Sequence, residues 1–190
     1  MRQGRRKAVT NGMALGACML CLALLLAGRT LCAGAAKAEK AAPAGCTLQS
    51  GEFDAVPVFP LGTAAWRLSD GYGWREDPLT GEEAFHRGVD LACAQGTPVL
   101  SVLDGVVTMA RQSGSYGNCI VLRHADGQET LYAHLQYCYV RAGEVVQAGQ
   151  PLGTAGQTGR ATGAHLHFAL RDGGLWCDPA RALELSGSLP

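Results

Sequence analysis

From Phe59 onward glycine returns about every 8–12 residues, and the runs between are short and rich in Val, Leu, Ile and Tyr. That spacing leaves no room for a convincing amphipathic helix of about ten or more residues and reads as short strands joined by turns. The clearest case is "GNCIVLRHADGQETLYAHL", in which two apolar runs flank Ala125-Asp126-Gly127. Gly127 can take the positive φ that a hairpin turn demands. Two further segments resemble each other, "GTPVLSVLDGVV" from Gly96 and "GEVVQAGQPLG" from Gly143. Each runs glycine, apolar strand, glycine-containing turn, strand. The expectation is a mainly β domain of antiparallel sheets, a barrel-like sandwich built on a duplicated hairpin.

The N-terminus has another character. Arg2, Arg5, Arg6 and Lys7 precede a nearly unbroken apolar run from Met13 to Ala27, followed by small residues that include Ala33-Gly34-Ala35. This is the three-part pattern of an export signal. The run is shorter than the roughly 20 residues a spanning helix prefers, yet residues 8–28 could serve as a membrane anchor, and the basic flank suits either version. The expected organisation is a signal peptide or anchor over 1–33, forming an apolar helix, a linker over 34–58, the folded domain over 59–185 and a tail over 186–190. Export would place the domain in the cell envelope, secreted or anchored facing outward. Residues 1–45 hold seven of the sixteen Lys and Arg and one acid; from Cys46 onward nine Arg face fifteen Asp and Glu. A domain with six surplus acids and no basic cluster excludes nucleic acid as partner.

Five cysteines follow residue 45: Cys46, Cys93, Cys119, Cys138 and Cys177. The odd number leaves at least one thiol unpaired, and no C-x-x-C pair among them supports a cysteine metal site. Most are expected as small buried hydrophobes; Cys46 with Cys177 is the one disulfide candidate.

The chain has five histidines. His165 and His167 in "GAHLHF" stand two residues apart, so on a strand they share a face while Leu166 points into the core. His86 and Asp90 in "FHRGVDLAC" are four apart. Fully extended, their Cα atoms would lie about 13 Å apart, so two side chains meeting at one ion require a bend, and Gly88 stands between them. Zinc takes imidazole nitrogen and carboxylate oxygen, and catalytic sites use three protein ligands plus an open position. His86, Asp90 and one of the pair His165/His167 would supply three. The other member would stand beside the ion, where a free imidazole is useful, and His134 in "LYAHL" is a second candidate for that work. His124, next to the hairpin turn, is expected at the surface. Tyr72 and Trp74 in "GYGWR", with Tyr116 and Asn118, are the substrate-groove candidates.

Taken together, "GYGWREDPLTGEEAFHRGVDLA", "GTPVLSVLDGVV", "YGNCIVLRHADGQETLYAHL" and "VRAGEVVQAGQPLGTAGQTGRATGAHLHF" resemble, in order and spacing, the LytM/lysostaphin-type zinc metallopeptidases, which cleave peptide bonds in bacterial peptidoglycan. The resemblance covers about Phe59 to Pro179. It implies one zinc ion held by His86, Asp90 and His167, with His134 and His165 as catalytic histidines. All five are present, which favours a peptidoglycan endopeptidase. The alternative it implies is a membrane-anchored binding or sporulation-channel module of the same fold with little hydrolysis. Ala164 stands where proline is common in the family, and Cys93 and Cys119 where relatives carry other small or apolar residues. A biotin-carrier-like domain is excluded, because no lysine follows Lys40. No H-E-x-x-H occurs, so no glutamate base of that kind is available.

Overall fold

The computed structural model describes residues 40–52 and 55–185. The expected export or anchor segment lies outside them. Among the described residues the chain forms thirteen strands and no α-helix. They are β1 (Cys46–Ser50), β2 (Trp66–Asp70), β3 (Gly73–Glu76), β4 (Glu83–His86), β5 (Val89–Cys93), β6 (Pro98–Leu100), β7 (Gly105–Ser113), β8 (Gly117–Arg123), β9 (Glu129–Cys138), β10 (Val145–Val146), β11 (Pro151–Ala155), β12 (His165–Asp172) and β13 (Leu175–Asp178).

Eleven strands share one sheet, with β1-β13-β12-β9-β8-β7-β10 as its longest path, and β3 and β4 form a separate hairpin. Every pairing is antiparallel except β1 with β13. β12 is the hub: residues 165–168 pair with β5, 167–171 with β9 and 170–172 with β13.

The β8–β9 turn forms as its residues dictate. Gly127 adopts φ 87, and Gln128 N donates to Asp126 Oδ1 at 2.8 Å, an aspartate closing its own turn. The two look-alike segments do not each fold back on themselves. They clasp one another: β6 of the first pairs with β11 of the second, and β7 of the first with β10 of the second. Gly96 and Gly143 occupy matching places, each with a positive φ, 87 and 94. Gly96 N donates to Ala155 O and Gly143 N to Val107 O.

One core lies beneath this clasp. Leu166 and Phe168 of β12 enter it from one side of the strand, with Tyr132 of β9 edge-on to Phe168 at 5.4 Å. The Tyr132 hydroxyl is satisfied, accepting from Val102 N at 3.0 Å and Thr130 Oγ1 at 3.2 Å. Removing a ring such as Phe168 from this position would cost about 3–5 kcal/mol. The alternate residues of β12, His165 and His167, leave the opposite face for the site.

Three local expectations change. Residues 46–50 fall within the expected linker, yet they pair as β1 along β13, and Gly51 N donates to Asp178 O at 2.7 Å. Cys46 and Cys177 sit on those neighbouring strands as free thiols, like Cys93, Cys119 and Cys138, so the candidate disulfide is absent. His124 is buried rather than at the surface, its ring held between Asp104 O and Thr130 Oγ1 at 2.8 Å each.

Candidate metal centre and active site

The bend required between His86 and Asp90 is made where β4 ends and β5 begins, across Arg87 and Gly88. Gly88 is needed there for closeness more than for an unusual φ. A Cβ on it would lie 2.4 Å from Phe168 O and 2.9 Å from His167 Cε1. Without a side chain, the chain turns against β12 and brings Asp90 into register with His167. His86 Nε2 then lies 3.0 Å from His167 Nδ1 and 3.1 Å from Asp90 Oδ1, and His167 Nδ1 lies 2.8 Å from the same oxygen. Ligand atoms around a tetrahedral ion with bonds of ~2.0–2.2 Å stand roughly 3.3 Å apart. Three donors already so gathered fit a metal ion with little rearrangement, and the set His, Asp, His can hold one.

Backbone carbonyls set the ring orientations. His86 donates from Nδ1 to Gly71 O at 2.7 Å, which turns the Nε2 lone pair toward the cluster. His165 donates from Nδ1 to Gly163 O at 2.9 Å and His134 from Nδ1 to Thr158 O at 2.8 Å, so each offers Nε2. His167 Nε2 is buried with no partner among the described residues, which leaves Nδ1 as its useful atom.

The electrostatics follow from burial. Burial opposes charge on Asp90, but hydrogen bonds from His167 and His86 hold its carboxyl well below the usual range. Burial also opposes charging of both rings. Asp90 outweighs it at His86, whose pKa is pushed up, but not at the fully enclosed His167, which is pushed down. His134 is pushed down to about 4 by burial, with repulsion from His165 and His167 adding to it. It is therefore neutral at neutral pH and able to accept a proton.

His134 reaches this place through a bulge. The β8–β9 register shifts between the Asn118 and Ile120 pairings, and His134 sits in the left-handed region at φ 60. In a regular strand it would point away from its neighbour Ala133, which pairs with His167. The extra residue turns it back. Its ring centre stands 4.7 Å from that of His165 and 5.9 Å from that of His167.

All five residues line one open cavity of about 370 Å³. Tyr116 lines it too, its ring 5.6 Å from that of His167. The other three groove candidates have different employment. Tyr72 donates to Trp176 O at 2.6 Å and stands edge-on to Phe85. Trp74 meets the same ring, donates to Ala41 O, and carries the Lys40 ammonium over its face at 3.8 Å. Asn118 ties β8 to Leu135 O and Gln136 O. None of the three lines the cavity.

Charged residues that sequence reasoning did not single out do line it: Arg75, Asp77, Arg87 and Arg160. Asp77 caps its own turn, accepting from Leu79 N and Thr80 N at 2.9 and 3.1 Å. It also meets Arg160 through both carboxylate oxygens, at 3.2 and 3.1 Å, linking two loops at the cavity wall. The only sequence signal for them was proximity: Asp77 lies in the turn before "FHRGVD" and Arg160 in the glycine-rich stretch before "HLH".

Comparison with known proteins places the chain in a family. The description "Peptidase family M23" matches residues 84–179. A DD-carboxypeptidase/endopeptidase of Neisseria meningitidis, Mpg, is 43% identical over 113 residues, 60% of this chain and 26% of the relative. The chain thus spans about a quarter of that relative's length. The catalytic domain of lysostaphin, an antimicrobial peptidase of Staphylococcus simulans, superposes with a TM-score of 0.58 at 34% identity, over 63% of this chain and 92% of that one. A zinc-containing peptidase from Vibrio cholerae superposes at 0.59 and 34% identity, over 74% of this chain and 41% of the other. The chain belongs to peptidase family M23.

Proposed function

We propose that the chain is an exported zinc metalloendopeptidase that hydrolyses peptide amides of bacterial peptidoglycan. The observation that carries this is the convergence of His86, Asp90 and His167 on one point, with His134 and His165 beside it in the same cavity. His86 Nε2, Asp90 Oδ1 and His167 Nδ1 would hold the ion. A zinc ion there supplies Lewis-acid activation of water and of the scissile carbonyl.

The remaining chemistry belongs to the chain. His134 and His165 are held by Nδ1–H bonds to Thr158 O and Gly163 O, so both direct Nε2 at the reacting atoms. Neutral His134 can take the proton of the attacking water. Once protonated, His134 can donate to the oxyanion and then pass that proton to the leaving amine, while His165 Nε2 accepts a hydrogen bond from the attacking water and orients it. The name of the Neisseria relative, a DD-carboxypeptidase/endopeptidase, favours an amide between D-residues over a glycine bridge. Residues 1–33, as export signal or anchor, would deliver the domain to that substrate.

The test is zinc content and muropeptide release by the purified chain. About one zinc per chain and new amino termini from peptidoglycan support the reading. A zinc-loaded chain that cuts neither D,D-cross-linked nor glycine-bridged peptidoglycan overturns it in favour of a binding module.

A further inference from the structure

Three arginines line the cavity: Arg75, Arg87 and Arg160. Two are committed. Arg75 Nε lies 2.5 Å from Asp70 Oδ2, and Arg160 spans the Asp77 carboxylate. Arg87 is exposed and has no carboxylate partner among the described residues. It directly follows His86, so it is anchored one residue from a candidate metal donor. Its guanidinium lies within hydrogen-bonding reach of the Tyr116 side chain, and both line the cavity. Tyr116 in turn packs against the His167 ring.

A guanidinium without a carboxylate partner, beside a phenol, presents two kinds of donor to one anion. A planar fork of N–H groups suits a carboxylate, which it can bind through two parallel hydrogen bonds. The setting sharpens this. The domain carries a surplus of acids, with fifteen Asp and Glu against nine Arg from Cys46 onward. In such a domain an exposed cation on the cavity wall without a carboxylate partner is open to an incoming anion.

We propose that Arg87, with the Tyr116 hydroxyl beside it, is a subsite for a free carboxylate on the residue that carries the leaving amine. The proposal rests on the hydrolase reading above. A cut of the carboxypeptidase type leaves such a carboxylate next to the scissile amide, and a cross-link to the second amine of a diaminodicarboxylic acid does the same, whereas the side-chain amine of lysine carries none. A glycine bridge or an amidated residue offers no charge there. Arg87 thereby selects substrates by the charge of the leaving residue, and the same metal centre without it would not.

The test uses the full, zinc-loaded chain and two synthetic peptides that differ only in the leaving residue, free carboxylate in one and carboxamide in the other. Wild type is expected to prefer the carboxylate about tenfold or more in kcat/KM, chiefly through KM, as a charge-assisted hydrogen bond supplies. In Arg87→Ala the carboxylate peptide falls to the level of the carboxamide, and Arg87→Lys recovers part of the preference. A merely structural role would lower both peptides together and leave their ratio alone. Equal turnover of both peptides by wild type, or a preference kept by Arg87→Ala, overturns the subsite. A binding arm keeps the two readings apart. Zinc-loaded His134→Ala is titrated with both peptides, and equal affinity overturns the subsite. A carboxylate preference in binding, with no turnover by wild type, sinks the hydrolase reading and leaves the subsite standing.

Discussion

His134 and His165 face each other with ring centres 4.7 Å apart, on strands joined through the His167–Ala133 pairing. Each has its Nδ1 tied to a backbone carbonyl, at 2.8 and 2.9 Å, so neither ring is free to flip. Two imidazoles held in this way differ from two metal ligands, and the difference can be measured.

Replacing His134 by alanine is expected to leave zinc content near one per chain and to lower kcat about 100-fold or more, the scale of a lost general acid–base group. Metal analysis and peptide turnover on one preparation check it. Loss of zinc together with activity would move His134 into the ligand set.

Asp90→Ala and His167→Ala should behave in the opposite sense, losing the metal first and activity as a consequence. Chelation of wild type is expected to do the same reversibly. Because a metal that binds only the folded state stabilises it, the melting temperature should fall with chelator and return with zinc. A melting curve indifferent to zinc would argue against the site.

Gly88→Ala tests the close approach beneath the centre. A Cβ there would stand 2.4 Å from Phe168 O, and the strands must separate to admit it. The expected cost is about 1–3 kcal/mol in denaturant unfolding, with zinc affinity weakened as Asp90 leaves its register with His167. Full stability and affinity in the variant would mean that the backbone relaxes without moving the donors.

The thiols make a separate prediction. Burial pushes the thiol pKa up at Cys93, Cys119, Cys138 and Cys177. A thiol held protonated alkylates slowly, so these four should react sluggishly in the native protein at pH 7.5 and promptly after unfolding. Peptide mapping without reductant should find no Cys46–Cys177 link.

Much of the site is written in local spacing. The period of a strand alone puts His165 and His167 on one face and Leu166 in the core, and the chain does this. The need for a bend at Gly88 follows from distance alone, but its reason, the carbonyl of Phe168 pressed against it, comes from a strand some 80 residues away. His134 is harder. Strict alternation would have buried it on the core side, and nothing in "LYAHL" announces the bulge that turns it. His124 looked like a turn residue because Asp104 O, which holds its ring, belongs to the loop between β6 and β7. Trp74 and Tyr72 had the chemistry of a groove, and Phe85 and two carbonyls claimed them instead. β1 escaped for a similar reason: its partner, β13, lies at the far end of the domain.

The order of the donors along the chain also governs when the molecule becomes competent. Asp90 and His86 leave the ribosome together, but His167 follows Asp90 by 77 residues, and β12 is the strand on which β5, β9 and β13 all assemble. Until it emerges, neither a third donor nor the hub of the sheet exists. A chain that has not yet made β12 therefore lacks both the third donor and the strand that brings Asp90 into register with it. The fold and the assembled donor set arrive in one late step.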